Sequence, residues 1–68
     1  MIHKIKQPQL NLRKVMMKKN VNDEWLADKI QISRTSVNRM INGHTMPSLQ
    51  RLYDCAEALE VSLFDLFD

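Results

Sequence analysis

Residues 22–43 read NDEWLADKIQISRTSVNRMING, two short helical patterns separated by a tight turn. Leu26, Ala27 and Ile30 form one apolar face at helical spacing, and Val37, Met40 and Ile41 form another. Each pattern carries its own start signal. At Val21-Asn22 an apolar residue precedes a capping residue, and Leu26 follows four positions past the cap, the hydrophobic staple that sets how a chain enters a helix. Ile32-Ser33 with Val37 repeats the device, and Val61-Ser62 with Leu66 repeats it again, there with Asp65 as a capping-box partner for Ser62. Ala27 is the informative member of the first face, because a small side chain there lets the second helix cross closely. Two helices joined this tightly suit a helix-turn-helix whose second member can enter a DNA major groove, and they equally suit two ordinary core helices of a small bundle.

Outward from this stretch the remaining elements follow. The chain has 68 residues, 44% hydrophobic, with one Gly and two Pro, and lacks a run of alternating β-branched residues beyond Ile2-His3-Lys4-Ile5. One all-α domain with a limited core is expected. Residues 1–8 read as an irregular N-terminal arm, since Pro8 disfavours helix in the residue before it, and residues 9–68 as a compact five-helix bundle. Helix one is expected over 9–19, burying Leu12, Val15, Met16 and part of Leu10, with Asn20 as a left-handed cap and Lys18 and Lys19 complementing its dipole. Helices two and three span 23–30 and 34–41, the latter stopped by Asn42-Gly43. Ser48 caps a fourth helix over 49–59, whose apolar stripe takes in Leu49, Leu52, Cys55, Ala56 and Leu59, and helix five covers 63–67. The five methionines read as gap-filling core residues.

Net charge is only +2, yet its distribution is uneven. Residues 1–20 hold Lys4, Lys6, Arg13, Lys14, Lys18 and Lys19 with no acid, whereas residues 45–68 hold Arg51 against Asp54, Glu57, Glu60, Asp65 and Asp68. A basic face toward phosphates and an acidic face turned away suits a nucleic-acid binder, though charge runs are commonly just solvated surface. Cys55 cannot form an internal disulfide and reads as a small buried hydrophobe. There is no secretory or membrane-spanning apolar run, so a cytoplasmic, nucleoid-associated protein is expected, with no membrane, cofactor or small-molecule ligand implied.

Catalytic patterns are weak. His3 and His44 are not set among Cys or carboxylates at metal-ligand spacing, so no metal site is expected. Asp54, Glu57 and Glu60 share one helical face but come with no Gly-rich phosphate loop or nucleophile elbow, and they read as solvated surface rather than acid/base catalysts.

From about Leu12 to Leu66 the order of motifs resembles the Cro/lambda-repressor-like helix-turn-helix family: Leu26-Ala27 with Lys29, the Ile32-Ser33 cap, the Asn42-Gly43 stop, Pro47-Ser48-Leu49, Ala56 with Leu59, and the ending VSLFDLF at 61–67. The resemblance implies a lambda-repressor-like bundle with the helix-turn-helix in helices two and three. It further implies a sequence-specific transcriptional regulator, a repressor in its simplest form, that binds a two-fold symmetric double-stranded DNA operator as a homodimer. Matched residue by residue, it puts Arg34, Thr35, Asn38 and Arg39 against base edges. Arg can donate two bonds to guanine, Thr can meet a thymine, and Asn can pair with adenine. Asn22, Ser36, the Asn42-Gly43 backbone, His44 and Thr45 match phosphate-holding positions, which set register and salt-sensitive affinity.

The chain also departs from the family pattern. Asp23 stands where a Gln commonly touches phosphate or braces the recognition helix. Gln31 and Glu60 stand where Gly is common, and Gln31 is expected to accept a left-handed conformation at about 1 kcal/mol. Met16 and Ile41 replace an Arg–Glu pair between helices one and three, an exchange that is often neutral or stabilising, and they are expected to touch. Trp25 sits where the family is polar, and reads either as a lid over Lys stems and the core edge or as a partner contact. Phe64 and Phe67 cannot both be buried in so small a core, so one of them is available to a dimer. An antitoxin-like or adaptor module that binds protein with the same bundle is the competing function.

Overall fold

The computed structural model describes residues 9–67. Its elements are α1 (Leu12–Lys19), α2 (Asp23–Ile30), α3 (Arg34–Ile41), α4 (Leu49–Leu59) and a single 3-10 turn at Leu63–Leu66. The bundle is therefore four α-helices and a terminal 3-10 turn, not five helices. Four residues between the Ser62 cap and Phe67, whose backbone is already extended, leave no room for a second turn. The expected arm, including His3, Lys4 and Lys6, and Asp68 at the other end lie outside the described residues.

One three-residue device makes three of the joints. Asn20, Gln31 and Glu60 each adopt a left-handed conformation, with φ of 57°, 59° and 58°. The next residue is apolar and half-buried against the core: Val21, Ile32 and Val61. Its N–H reaches back to close the preceding helix, Val21 to Met16 O at 3.1 Å, Ile32 to Ala27 O at 3.1 Å and Val61 to Ala56 O at 3.0 Å. The third residue caps the next helix. Asn22 Oδ1 accepts from the Trp25 amide at 2.8 Å, Ser33 Oγ from Ser36 at 3.1 Å and Ser62 Oγ from Asp65 at 3.3 Å. Ser62 also gives its own amide to Asp65 Oδ2 at 3.1 Å, completing the capping box. The apolar residue thus ends one helix and staples the start of the next, which is why these turns are short and their angles well defined. The left-handed cost at Asn20, Gln31 and Glu60, about 1 kcal/mol each for a residue with a Cβ, is offset by the backbone bonds the conformation permits.

Helix α1 starts three residues later than its composition suggests. Leu10 pairs with Phe67 in an isolated antiparallel bridge, and the Asn11 amide donates to Leu66 O at 2.7 Å. Extended pairing between the two ends of the described segment keeps residues 9–11 out of the helix.

The core joins Leu12, Val15 and Met16 of α1, Leu26, Ala27 and Ile30 of α2, Val37 and Met40 of α3, Leu52, Cys55, Ala56 and Leu59 of α4, and Leu66. Helix α2 packs on both α3 and α4, while α1 and the terminal turn close over α4. Burial, with a smaller push from Asp54 and an opposing pull from Arg51, raises the Cys55 thiol from 9.0 to about 11, so it is an inert hydrophobe. Not every apolar residue joins this core. Met17 and Met46 are 73% and 70% exposed, so only Met16 and Met40 of the described methionines fill gaps, and Leu49 lies outside the buried stripe of α4.

Candidate nucleic-acid interface

Helix α3 buries Val37 and Met40, with Ile41 packed half-buried at the core edge, so the opposite side of the helix is free to face outward. Leu26 and Ala27 of α2 seat it: Leu26 is fully enclosed, and Ala27 is small enough to let the two helices approach. Arg34, Thr35, Ser36, Asn38 and Arg39 are all exposed. Arg34 comes from the first turn, and Thr35, Asn38 and Arg39 follow at the i, i+3, i+4 spacing that puts side chains on one face. Ser33 fixes where this face begins. Its hydroxyl accepts the Ser36 amide and donates to Ser36 Oγ at 2.9 Å, leaving the Ser36 proton to donate elsewhere.

Asp23, in the first turn of α2, reaches this face. Its Oδ2 lies 3.9 Å from Arg34 Nε and accepts a long 3.5 Å bond from Asn38 Nδ2, while Glu24 lies 3.9 Å from Arg34 Nη1. Both acids favour the start of α2 through its dipole, and exposed pairs at this distance contribute little stability. Their consequence is placement of Arg34 and Asn38. Two further hydrogen bonds extend this polar surface: Asn42 Nδ2 donates to Asn38 Oδ1 at 2.9 Å, and Arg13 Nη2 donates to Asn42 Oδ1 at 2.7 Å.

Past α3 the backbone turns at Gly43, with φ of 76°. The amides of Asn42, Gly43 and His44 donate to Asn38 O at 3.0 Å, Met40 O at 3.2 Å and Arg39 O at 2.9 Å. These amides close the helix, so what the loop offers an anion rests on the side chains of His44 and Thr45, both exposed. Asn22 is exposed as well, with its Oδ1 held by the Trp25 amide.

A groove between the end of α3 and the start of α4 gathers Ser36, Arg39, Thr45, Ser48 and Arg51 over Ile32 and Met40. Arg51 and Ser48 were not singled out as site residues in the sequence, because Arg51 sits in an acidic half and Ser48 reads as a cap. That Arg51 is the sole cation after residue 44 was the available signal. Arg51 also lies 3.8 Å from Asp54 and donates a long bond to Ile30 O at 3.5 Å, which tethers it at the groove's rim.

Met16 is buried, Ile41 is packed against the core, and both line one groove with Arg13, Asp23 and Asn38. Apolar side chains therefore occupy the place of the Arg–Glu pair. Trp25 is half-buried with Lys29 Nζ 5.6 Å from its ring centroid, a cation–π distance. Phe67 is half-buried at the core edge, whereas Phe64 is 84% exposed. No group of three His, Cys, Asp or Glu side chains able to hold a metal occurs among the described residues, and no helix there is long and apolar enough to cross a membrane.

A helix-turn-helix family model matches residues 12–66, the span that holds every described element. The chain belongs to the helix-turn-helix family of Cro/C1 type. That family is one of DNA-binding regulators, and the α2–α3 unit is the motif that gives it its name. Over 63 residues, 93% of the chain, this helix-turn-helix domain is 36% identical to the cryptic phage CTXphi transcriptional repressor RstR of Vibrio cholerae serotype O1. The match takes in 54% of RstR, so the chain spans about half the length of that curated relative. The domain also superposes on the crystal structure of a candidate DNA-binding protein from Bacteroides fragilis with a TM-score of 0.85 and 26% identity, covering 91% of this chain and all of that one.

Proposed function

We propose that this domain is a sequence-specific reader of double-stranded DNA that represses transcription by occupying its operator, with α3 in the major groove. Arg34, Thr35, Asn38 and Arg39 read base edges in this scheme, each good bidentate pair discriminating by about 1–3 kcal/mol. Asn22, Ser36, His44 and Thr45 lie against phosphates, the last two carried there by the Asn42-Gly43 turn whose own amides close α3, and Arg51 and Ser48 extend that contact along the groove beside Arg39. The observation that carries the reading is the split of α3 itself: two buried anchors, and the polar side chains of Arg34, Thr35, Asn38 and Arg39 left exposed on a helix braced by α2. Likeness to a phage transcriptional repressor supports the same direction.

A homodimer on a two-fold operator follows from the family resemblance, with Trp25, Phe64 and Phe67 as its candidate apolar contacts and Phe64 the most exposed of the three. The domain works in the cytoplasm, at the nucleoid, without catalysis or cofactor. The competing protein-binding reading draws on the exposed apolar residues Leu49, Tyr53 and Phe64, which lie on α4 and the terminal turn rather than on α3.

Selection of bound duplexes from a random pool, repeated at two salt concentrations, separates the two. The wild-type domain should enrich one sequence, and Arg34→Ala and Arg39→Ala should each relax preference at particular base pairs. Thr45→Ala should weaken all sequences alike, and replacing Arg51 by Ala should in addition flatten the logarithmic salt slope by roughly 0.9 for one lost phosphate contact. A pool with no enriched sequence would refute specific reading and leave the protein-binding role.

A further inference from the structure

Four hydrogen-bonding side chains, from α1, α2, α3 and the Asn42 cap of α3, form a directed chain across the surface proposed to face DNA. Arg13 of α1 donates to Asn42 Oδ1 at 2.7 Å, Asn42 Nδ2 donates to Asn38 Oδ1 at 2.9 Å, and Asn38 Nδ2 donates to Asp23 Oδ2 of α2 at 3.5 Å. The groove lined by Arg13, Asp23 and Asn38 has Met16 and Ile41 on its apolar side. The ends decide the middle. A guanidinium can only donate and an ionised carboxylate can only accept, whereas each carboxamide can do either depending on which way it is turned. With Arg13 at one end, Asn42 must present its oxygen to α1 and its amide to Asn38. With Asp23 at the other, Asn38 must present its amide to α2 and its oxygen to the end of α3. Both constraints agree.

We propose that Arg13 and Asp23 are positioning residues that fix the polarity of the Asn38 carboxamide and thereby choose between A·T and T·A at the base pair Asn38 reads. After these bonds are made, Asn38 keeps one amide hydrogen and one oxygen lone pair. Adenine presents N7 as acceptor and N6 as donor in the major groove, and the opposite strand order reverses their sequence. A carboxamide whose two ends are already assigned matches one order, while a carboxamide free to turn matches either. This rests on α3 being the DNA-reading helix, and it assigns a task to two residues that need not touch a base.

The test compares wild type with Arg13→Met, Asp23→Asn and the double variant, which restores the net charge and so separates polarity from bulk attraction. Asn38→Ala locates the base pair concerned in a random-pool selection. Wild type should discriminate A·T from T·A there by roughly 5- to 150-fold, the range of one bidentate pair. Each single variant should keep most of that ratio, because the remaining end still sets the direction. The double variant should lose it, to within about twofold of no preference, by more than the product of the single losses, with the salt slope and the positions read by neither Asn38 nor Arg34, which Asp23 also faces, unchanged. Wild-type discrimination in the double variant, or a uniform loss at every position, would overturn the proposal.

A second readout needs no DNA. The side-chain amide resonances of Asn38 should move on Asp23→Asn, and those of Asn42 on Arg13→Met, in folded protein checked by thermal melting. Unmoved resonances would equally overturn it. A pool that enriches nothing with wild type, alongside resonances that do move, would count against sequence-specific reading by α3 and would leave the polar chain standing.

Discussion

Helices α3 and α4 start from the same chemistry, a serine whose hydroxyl accepts the amide three residues on, yet they bury very different faces. Helix α4 commits Leu52, Cys55, Ala56 and Leu59 to the core over eleven residues, whereas α3 commits Val37 and Met40 over eight. The first is held by packing. The second is held by two anchors, a cap, and polar ties to α1 and α2. A helix that must offer its surface to a ligand cannot also bury it, so its side chains are oriented by hydrogen bonds that solvent can reach, and α4 carries more of the cohesion that leaves α3 free.

The largest expected contrast lies in truncating the buried side. Leu59→Ala should lower unfolding free energy by about 2–5 kcal/mol in urea titration, through lost burial and a residual cavity. A loss comparable to that of an exposed site would mean α4 is not the packed helix described.

Alkaline pH probes the same helix more gently. The folded thiol of Cys55 titrates near 11 against an ordinary 9.0, so folding favours its neutral form. Stability from this source is present below about pH 9 and falls as pH rises from there toward about 11, where the unfolded chain has already released the proton. The denaturation midpoint should drop over that interval, and the drop should be smaller in Cys55→Ala, which isolates the thiol's share of it.

At the entrance to α3, Gln31→Gly should raise stability by a few tenths to about 1 kcal/mol, the relief of a left-handed conformation less the added freedom of glycine in the unfolded chain. A loss instead would show that the Gln31 side chain does something beyond tolerating its φ of 59°. Smallest of all, Thr35→Ala on the open face of α3 should leave the melting curve within about 0.5 kcal/mol of wild type while altering base preference in the selection. A marked fall in stability would erase the distinction between the two helices.

Some of this was written in local chemistry. The joints Asn20-Val21-Asn22, Gln31-Ile32-Ser33 and Glu60-Val61-Ser62 each span three residues and act over one helical turn on either side, so their staples, caps and left-handed positions can be read from adjacent letters. The same holds for the buried faces of α2 and α3 and for the outward set Arg34, Thr35, Asn38 and Arg39, since a period of 3.6 residues turns spacing into direction. These determined the helix-turn-helix and which side chains of its second helix stand outward.

Only tertiary structure decided what depends on distant partners. The start of α1 was set by Leu10 meeting Phe67, residues at opposite ends of the described chain. Arg13 meets Asn42 across 29 positions and Asp23 meets Asn38 across 15, so Asp23, which the sequence shows only as a departure from the family pattern, becomes the acceptor of the Asn38 amide. Arg51 joins Arg39 for the same reason. Short-range bonds are dictated by neighbouring residue types, whereas which side of a helix meets which other helix emerges only when all the apolar faces are buried together.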